Sequence, residues 1–176
     1  MSRKSHRPGC ITGRFQPLHL AHLELILVGA DRHHQVIVAI TNPDPGSRSI
    51  HPSNPSRHLA SANPFSYLER ERFVRAALRD AGVADERVSV VPFTLHEQDN
   101  WYAYVPPEAV QYVRVYSEWE QRKVKMLREH YTVDVIANGP SGKTVSATAI
   151  RKAIAAGGQW HDAVPGAVVQ LIEARS

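Results

Sequence analysis

Within the ten residues Gly13-Arg14-Phe15-Gln16-Pro17-Leu18-His19-Leu20-Ala21-His22 the chain places two imidazoles, a guanidinium and a glycine-led turn. His19 and His22 are three apart, so on a first helical turn they project from the same side. Gly13 permits a close backbone approach, and Pro17 stiffens the turn. A helix that starts here offers unpaired N–H groups and a positive dipole end, which together suit a phosphate. In phosphoryl-type transfer, groups of this kind position the phosphates and stabilise charge in the transition state. Two plainer readings stand beside it. The histidines could be a metal pair, although no third ligand is near in sequence, or they could be surface residues.

A second constellation is Ser146-Ala147-Thr148-Ala149-Ile150-Arg151, flanked by Lys143 and Lys152. Ser146 is a good helix N-cap, Thr148 adds a hydroxyl in the first turn, and Arg151 could reach the same phosphates. Taken alone, it also reads as a capped amphipathic helix with solvated basic residues. A rival site overlaps it, because Ala137 to Thr144 approaches the phosphate-loop pattern G-x-x-x-x-G-K-[ST] after a strand. Ala137 replaces the first glycine of that pattern.

The elements that must carry these residues alternate between β-branched runs and helical patterns, which predicts a parallel sheet with crossover helices. The expected strands are Cys10–Thr12, Gln35–Thr41, Val88–Pro92, Tyr112–Tyr116 and Thr132–Ile136. The expected helices are Leu20–Ala30, Tyr67–Ala81, Glu118–Glu129, one opened by Ser146, and Gly166–Ala174. Ser66 with Glu69 forms a capping-box pattern, and Gly82 stops the helix that follows. The result is an α/β fold: a Rossmann-like, doubly wound parallel sheet of about five strands in a single domain. Residues 42–64 form a long loop with five prolines and the basic residues Arg48, His51, Arg57 and His58. A loop of that length in a compact domain is usually functional or mobile.

Bulk properties narrow the function classes. The 176 residues suffice for one domain with a real core, and 43% hydrophobic with 22% charged residues excludes whole-chain disorder. A single cysteine, Cys10, rules out a disulfide framework and a multi-cysteine metal site, and its apolar surroundings suggest a buried thiol. There is no run of membrane-span length, and the basic stretch 1–8 lacks the apolar region of a signal peptide, so a cytoplasmic protein is expected. A net charge of +4 suits an anionic partner. The basic residues are scattered and carry no nucleic-acid-binding signature, so a small anion is expected rather than nucleic acid.

Taken together, the two constellations resemble the nucleotidyltransferase superfamily with HxGH and ISxTxxR-type motifs, and particularly its archaeal-type nicotinamide mononucleotide (NMN) adenylyltransferases. Gly13–His22 matches the opening signature GRFQPxHxGH at every fixed position except Ala21, which replaces glycine, and Ser146–Arg151 matches SATxIR. Asn63-Pro64-Phe65 with Glu69-Arg70 resembles the NPF…ER start of the second helix, and Trp101…Tyr104-Val105 resembles the tryptophan loop. The resemblance implies that His19, His22, Arg14 and Arg151 are catalytic. It further implies that Gly13, Phe15, Gln16, Ser146, Thr148 and Lys143 bind the nucleotide. Magnesium would arrive on the triphosphate, with no metal site of the protein's own, and pyrophosphate would leave without a covalent intermediate.

Departures from the pattern concern the acceptor. Ser117-Glu118-Trp119 stands where archaeal NMN enzymes carry T-G-N, and the 42–64 loop is longer and more basic. Arg48, His51, Arg57, His58, Trp101 and Trp119 are therefore the candidate acceptor residues. A compact, multiply charged anion suits the loop better than the cationic ring of NMN. The expectation is transfer of CMP from CTP to a small phosphonate such as phosphonoformate. ATP with NMN is the alternative, and a non-catalytic nucleotide-binding domain is the alternative of a different class. Oligomeric state stays open, with a homo-oligomer allowed.

Overall fold

The structure is a computed structural model and describes residues 3–50, 55–138 and 145–175. Strand β1 (Gly9–Gly13) is buried along nearly its whole length, and β2 (Val36–Thr41) entirely so. Such continuous apolar runs are what a parallel strand covered on both faces requires. They are joined by β3 (Val88–Phe93), β4 (Val110–Val113) and β5 (Thr132–Val135) in one sheet of order β3-β2-β1-β4-β5, all neighbours parallel. The chain winds outward from β1 to β3, then returns past β1 to β4 and β5. The order therefore reverses between β1 and β4, the place where ligands bind in open α/β sheets.

Alternate residues of the strands feed two cores. Ile11, Val36, Val38 and Ile40 face α1 (Leu20–Arg32), α2 (Tyr67–Asp80) and α5 (Gly166–Glu173), with Ile150 of α4 (Ala147–Ala156) at the margin. Cys10, Ile37 and Ala39 face Val124 and Leu127 of α3 (Glu118–Arg128), together with Phe93, Trp101 and Tyr131. Burial pushes the Cys10 thiol up to about 12, which leaves it an inert core residue.

Local signals account for the helix ends. Ser66 accepts from the Glu69 backbone N–H at 3.2 Å while the Glu69 carboxylate accepts from the Ser66 N–H at 2.7 Å, the reciprocal cap expected for α2. At the other end Gly82 takes φ +77°, with Val83 N–H bonded to the Leu78 carbonyl and Gly82 N–H to that of Arg79. No helix among the described residues is long and apolar enough to cross a membrane.

One strand departs from expectation. The sequence pattern predicts a strand over Tyr112–Tyr116, whereas β4 occupies Val110–Val113. Its ladder with β1 covers only Gly9↔Val110 and Cys10↔Gln111. Beyond that the two strands part, and Arg114 leaves the sheet to pair with Glu24 of α1 at 3.0 Å. The β-branched appearance of 112–116 is genuine, but the tertiary ion pair decides where the strand ends.

Candidate active site

The turn from β1 to α1 is fixed from several sides. A Cβ on Gly13 would lie 2.9 Å from the Phe15 ring, so glycine is what lets Phe15 fold back over the strand end. Phe15 itself takes φ +52°, and the Gln16–Pro17 peptide is cis. The Gln16 amide exchanges two hydrogen bonds with Phe65, donating at 2.8 Å to its carbonyl and accepting from its N–H at 3.0 Å. Arg70 of α2 is 1% exposed and donates to the carbonyls of Arg14, Thr41, Asn42, Pro43 and Ser66. One guanidinium thus ties the ends of β1 and β2 to the start of α2.

On this support His19 is the N-cap of α1, and its carbonyl receives the N–H groups of His22 and Leu23 at 3.0 Å. The two imidazoles stack with centroids 3.6 Å apart, and Phe15 meets His22 edge-on. Nδ1 of each histidine is buried without a hydrogen-bond partner. Burial holds His19 down at about 4, against a slight opposing pull from Glu24. His22 is pushed well below the usual imidazole range by burial first, then by His19, Lys123 and Arg14. Both rings are therefore neutral near pH 7. Buried nitrogens that lack partners cost free energy until a ligand supplies one.

Cations from distant parts of the chain gather around these rings. The Arg14 guanidinium donates at 3.3 Å to the carbonyls of Arg57 and Ala62, and burial beside Arg57, Arg151 and Arg70 lowers it to about 9. Arg151 donates to the Gln16 carbonyl at 2.8 Å and to the Thr148 hydroxyl at 3.1 Å. That contact joins the first turn of α4, capped by Ser146 onto the Ala149 N–H, to the β1–α1 turn. The Arg57 guanidinium lies 4.8 Å over the Trp119 ring. Lys123 of α3 donates to the Thr12 carbonyl, beyond the point where the β1–β4 ladder has ended. Burial, with Arg57 next, lowers its ammonium to about 8.

These groups enclose a cavity of about 430 Å³ at the carboxyl ends of β1 and β4. Of the sequence-predicted residues, Gly13, Arg14, Phe15, Gln16, His19, His22, Arg57, Trp119 and Ser146 line it. Thr148 and Arg151 stand beside it, bonded to one another and to Gln16. Trp101 does not face this cavity. It is 1% exposed, packs on Phe93 and Tyr131, and donates to the Thr94 carbonyl at 3.0 Å. It borders instead a second hollow of about 320 Å³ above β2 and β3, with Asp44, Ser47, Thr94 and Glu97. Arg48 and His58 line neither hollow, and each has a buried side-chain nitrogen without a partner. His51 and Lys143 lie outside the described residues, as does most of the phosphate-loop-like stretch.

Sequence reasoning passed over Lys123, Tyr116, the Arg114–Glu24 pair and the five-carbonyl role of Arg70. Glu120, Val124 and Leu127 mark the inward stripe of α3 at helical spacing, and Lys123 flanks it; that signal was available. The others depend on tertiary neighbours. Among the described residues no three of His, Cys, Asp and Glu are grouped as a metal site requires. The donors of the cavity are mainly imidazole, guanidinium and ammonium, a set that receives an anion.

Three comparisons place this geometry among known proteins. Residues 10–153 match the cytidylyltransferase-like family. The chain is 38% identical over 165 residues to a phosphonoformate cytidylyltransferase of Streptomyces viridochromogenes, covering 94% of this chain and 90% of that protein. It is 27% identical to a nicotinamide-nucleotide adenylyltransferase of Saccharolobus solfataricus, covering 93% and 88%. A bifunctional NMN adenylyltransferase/ADP ribose pyrophosphatase from Francisella tularensis superposes with a TM-score of 0.71 at 16% identity. That match covers 97% of this chain, which spans about half the length of the bifunctional protein. A putative nicotinate-nucleotide adenylyltransferase from Vibrio parahaemolyticus superposes with a TM-score of 0.58 at 18% identity, covering 95% and 92%. The two superpositions establish the shared fold.

Proposed function

The chain belongs to the cytidylyltransferase-like family and is a nucleotidyltransferase, and from that premise we propose that it transfers CMP from CTP to a small phosphonate such as phosphonoformate. In this reading an acceptor oxyanion attacks the α-phosphorus in line, the bond to the bridging oxygen of the β-phosphate breaks, and pyrophosphate leaves. His19 and His22 donate to the α-phosphoryl oxygens, where negative charge concentrates. Arg14 and Arg151 hold the β- and γ-phosphates, assisted by Ser146, Thr148 and the amides of the Gly13–Gln16 turn. Magnesium carried by the triphosphate supplies further charge neutralisation, and the cavity's donors hold phosphate oxygens rather than the ion. No side-chain nucleophile is needed, because positioning and charge stabilisation supply the rate.

The observation that carries the acceptor assignment is the Arg57 guanidinium over Trp119. An open tryptophan face would stack the cationic ring of NMN; one covered by a guanidinium repels that ring and attracts an anion. The similarity to the phosphonoformate enzyme points the same way. Pyrophosphate release should be measured for ATP and CTP, each against NMN and phosphonoformate. CTP with phosphonoformate is expected to turn over fastest, and efficient use of ATP with NMN would overturn the assignment.

A further inference from the structure

We propose that Lys123 is a catalytic cation whose ammonium binds an oxyanion at the reacting phosphoryl centre, beside His22. The inference rests on the nucleotidyl-transfer reading of this cavity, not on which base or acceptor is used. Lys123 leaves α3 beside its inward stripe and reaches the cavity floor, where its one hydrogen bond among the described residues is to the Thr12 carbonyl. An ammonium has three donors, and a single carbonyl leaves it under-satisfied. It makes no ion pair among the described residues.

A half-buried cation beside Arg57 is costly to the protein, and the charge of Glu120 offsets that cost only in part. A structural lysine here would be better replaced by an apolar residue. The groups around it are Arg57 from the loop, Glu120 on its own helix, Cys10 of β1, His22 in the first turn of α1 and, across the cavity, Arg14 of the β1–α1 turn. Among the described residues Glu120 is the carboxylate that acts on it, and one oxygen of that carboxylate already accepts from the Ser117 hydroxyl. His22 and Lys123 line the same cavity and the Lys123 charge acts on His22, so an oxygen held at His22 is open to approach by the same ammonium.

The oxyanion could belong to the NTP α-phosphate or to the acceptor, and the two sources separate experimentally. Lys123→Met and Lys123→Arg are compared with wild type on the NTP–acceptor pair that wild type turns over best. If that pair is ATP with NMN, the phosphonate assignment fails while the Lys123 test proceeds with ATP, AMP and adenosine as the binding probes in place of CTP, CMP and cytidine. Binding of CTP, CMP and cytidine is followed by tryptophan fluorescence in parallel. The methionine variant is expected to lose at least a hundredfold in kcat/KM and to unfold at a temperature no lower than wild type. The arginine variant is expected to recover at least a tenth of wild-type kcat/KM. In wild type kcat/KM should decline as pH rises past about 8, as the ammonium of Lys123 deprotonates, and Lys123→Arg should shift that limb upward. Weaker CTP and CMP binding with unchanged cytidine binding assigns the NTP phosphate; a raised acceptor KM alone assigns the acceptor. Near-normal kcat/KM in Lys123→Met, or an equal loss of cytidine binding, overturns the proposal.

Discussion

Two stacked, buried, neutral imidazoles beside Arg14 and Lys123 mean that the empty site holds its protons off. A triphosphate bound there, as proposed, would reverse that field and raise the pKa of each ring. With His19 near 4 in the empty protein, net proton uptake should accompany CTP binding at about pH 6. Calorimetry in buffers of different ionisation enthalpy reads it directly; no uptake would mean that the rings act only as neutral hydrogen-bond donors. Folding is linked to the same protons. A histidine depressed from 6.5 to about 4 binds fewer protons folded than unfolded, so stability is full above 6.5 and falls as pH drops toward 4. His19 alone would remove on the order of 3 kcal/mol across that window. Denaturant midpoints at pH 7 and pH 4.5 should differ in that direction, and the difference should shrink in His19→Gln.

At the scale of elements, Arg70 is the tie on which the β1–α1 turn depends. Its guanidinium serves five carbonyls from three separate stretches of the chain, Arg14, Thr41 to Pro43 and Ser66, a geometry that suits the planar fork of arginine. Arg70→Met should cost about 2–4 kcal/mol in urea unfolding, because buried carbonyls lose their donors, and Arg70→Lys should recover little of it. Equal stability of the lysine variant would show that charge, not the fork, is what matters. The elements themselves were largely readable: the Ser66–Glu69 cap, the Gly82 stop and the apolar runs of β1 and β2 are local signals and sit where local chemistry puts them. What could not be read was long-range. The shortening of β4 follows from Arg114 meeting Glu24, and Trp101 turns away from the histidines because Phe93 and Tyr131 receive it. The Glu69-Arg70 pair was visible in the sequence, but its carbonyl partners exist only once β2 and the loop are in place.

At the scale of the whole molecule, the sheet's reversal between β1 and β4 assembles one electrostatic device from residues 14, 57, 123 and 151. Each belongs to a different segment, so their mutual repulsion is borne by the entire fold and relieved by an anion. Burial first, and then repulsion from neighbouring cations, lowers Arg14 to about 9 and Lys123 to about 8. A ligand that neutralises it should stabilise the protein globally in proportion to its charge rather than its base. At one hundred times Kd a ligand adds about 2.7 kcal/mol, which for a chain of this size raises the unfolding temperature by roughly 5–10 °C. Pyrophosphate and CTP at equal concentration should both give clear shifts, CMP a smaller one and cytidine almost none. The shifts should diminish between low and 0.5 M salt much less than those of an exposed patch, because the cations are partly buried. If cytidine stabilises as well as CTP, the cavity is built around the base, and the anion-centred account of this site fails.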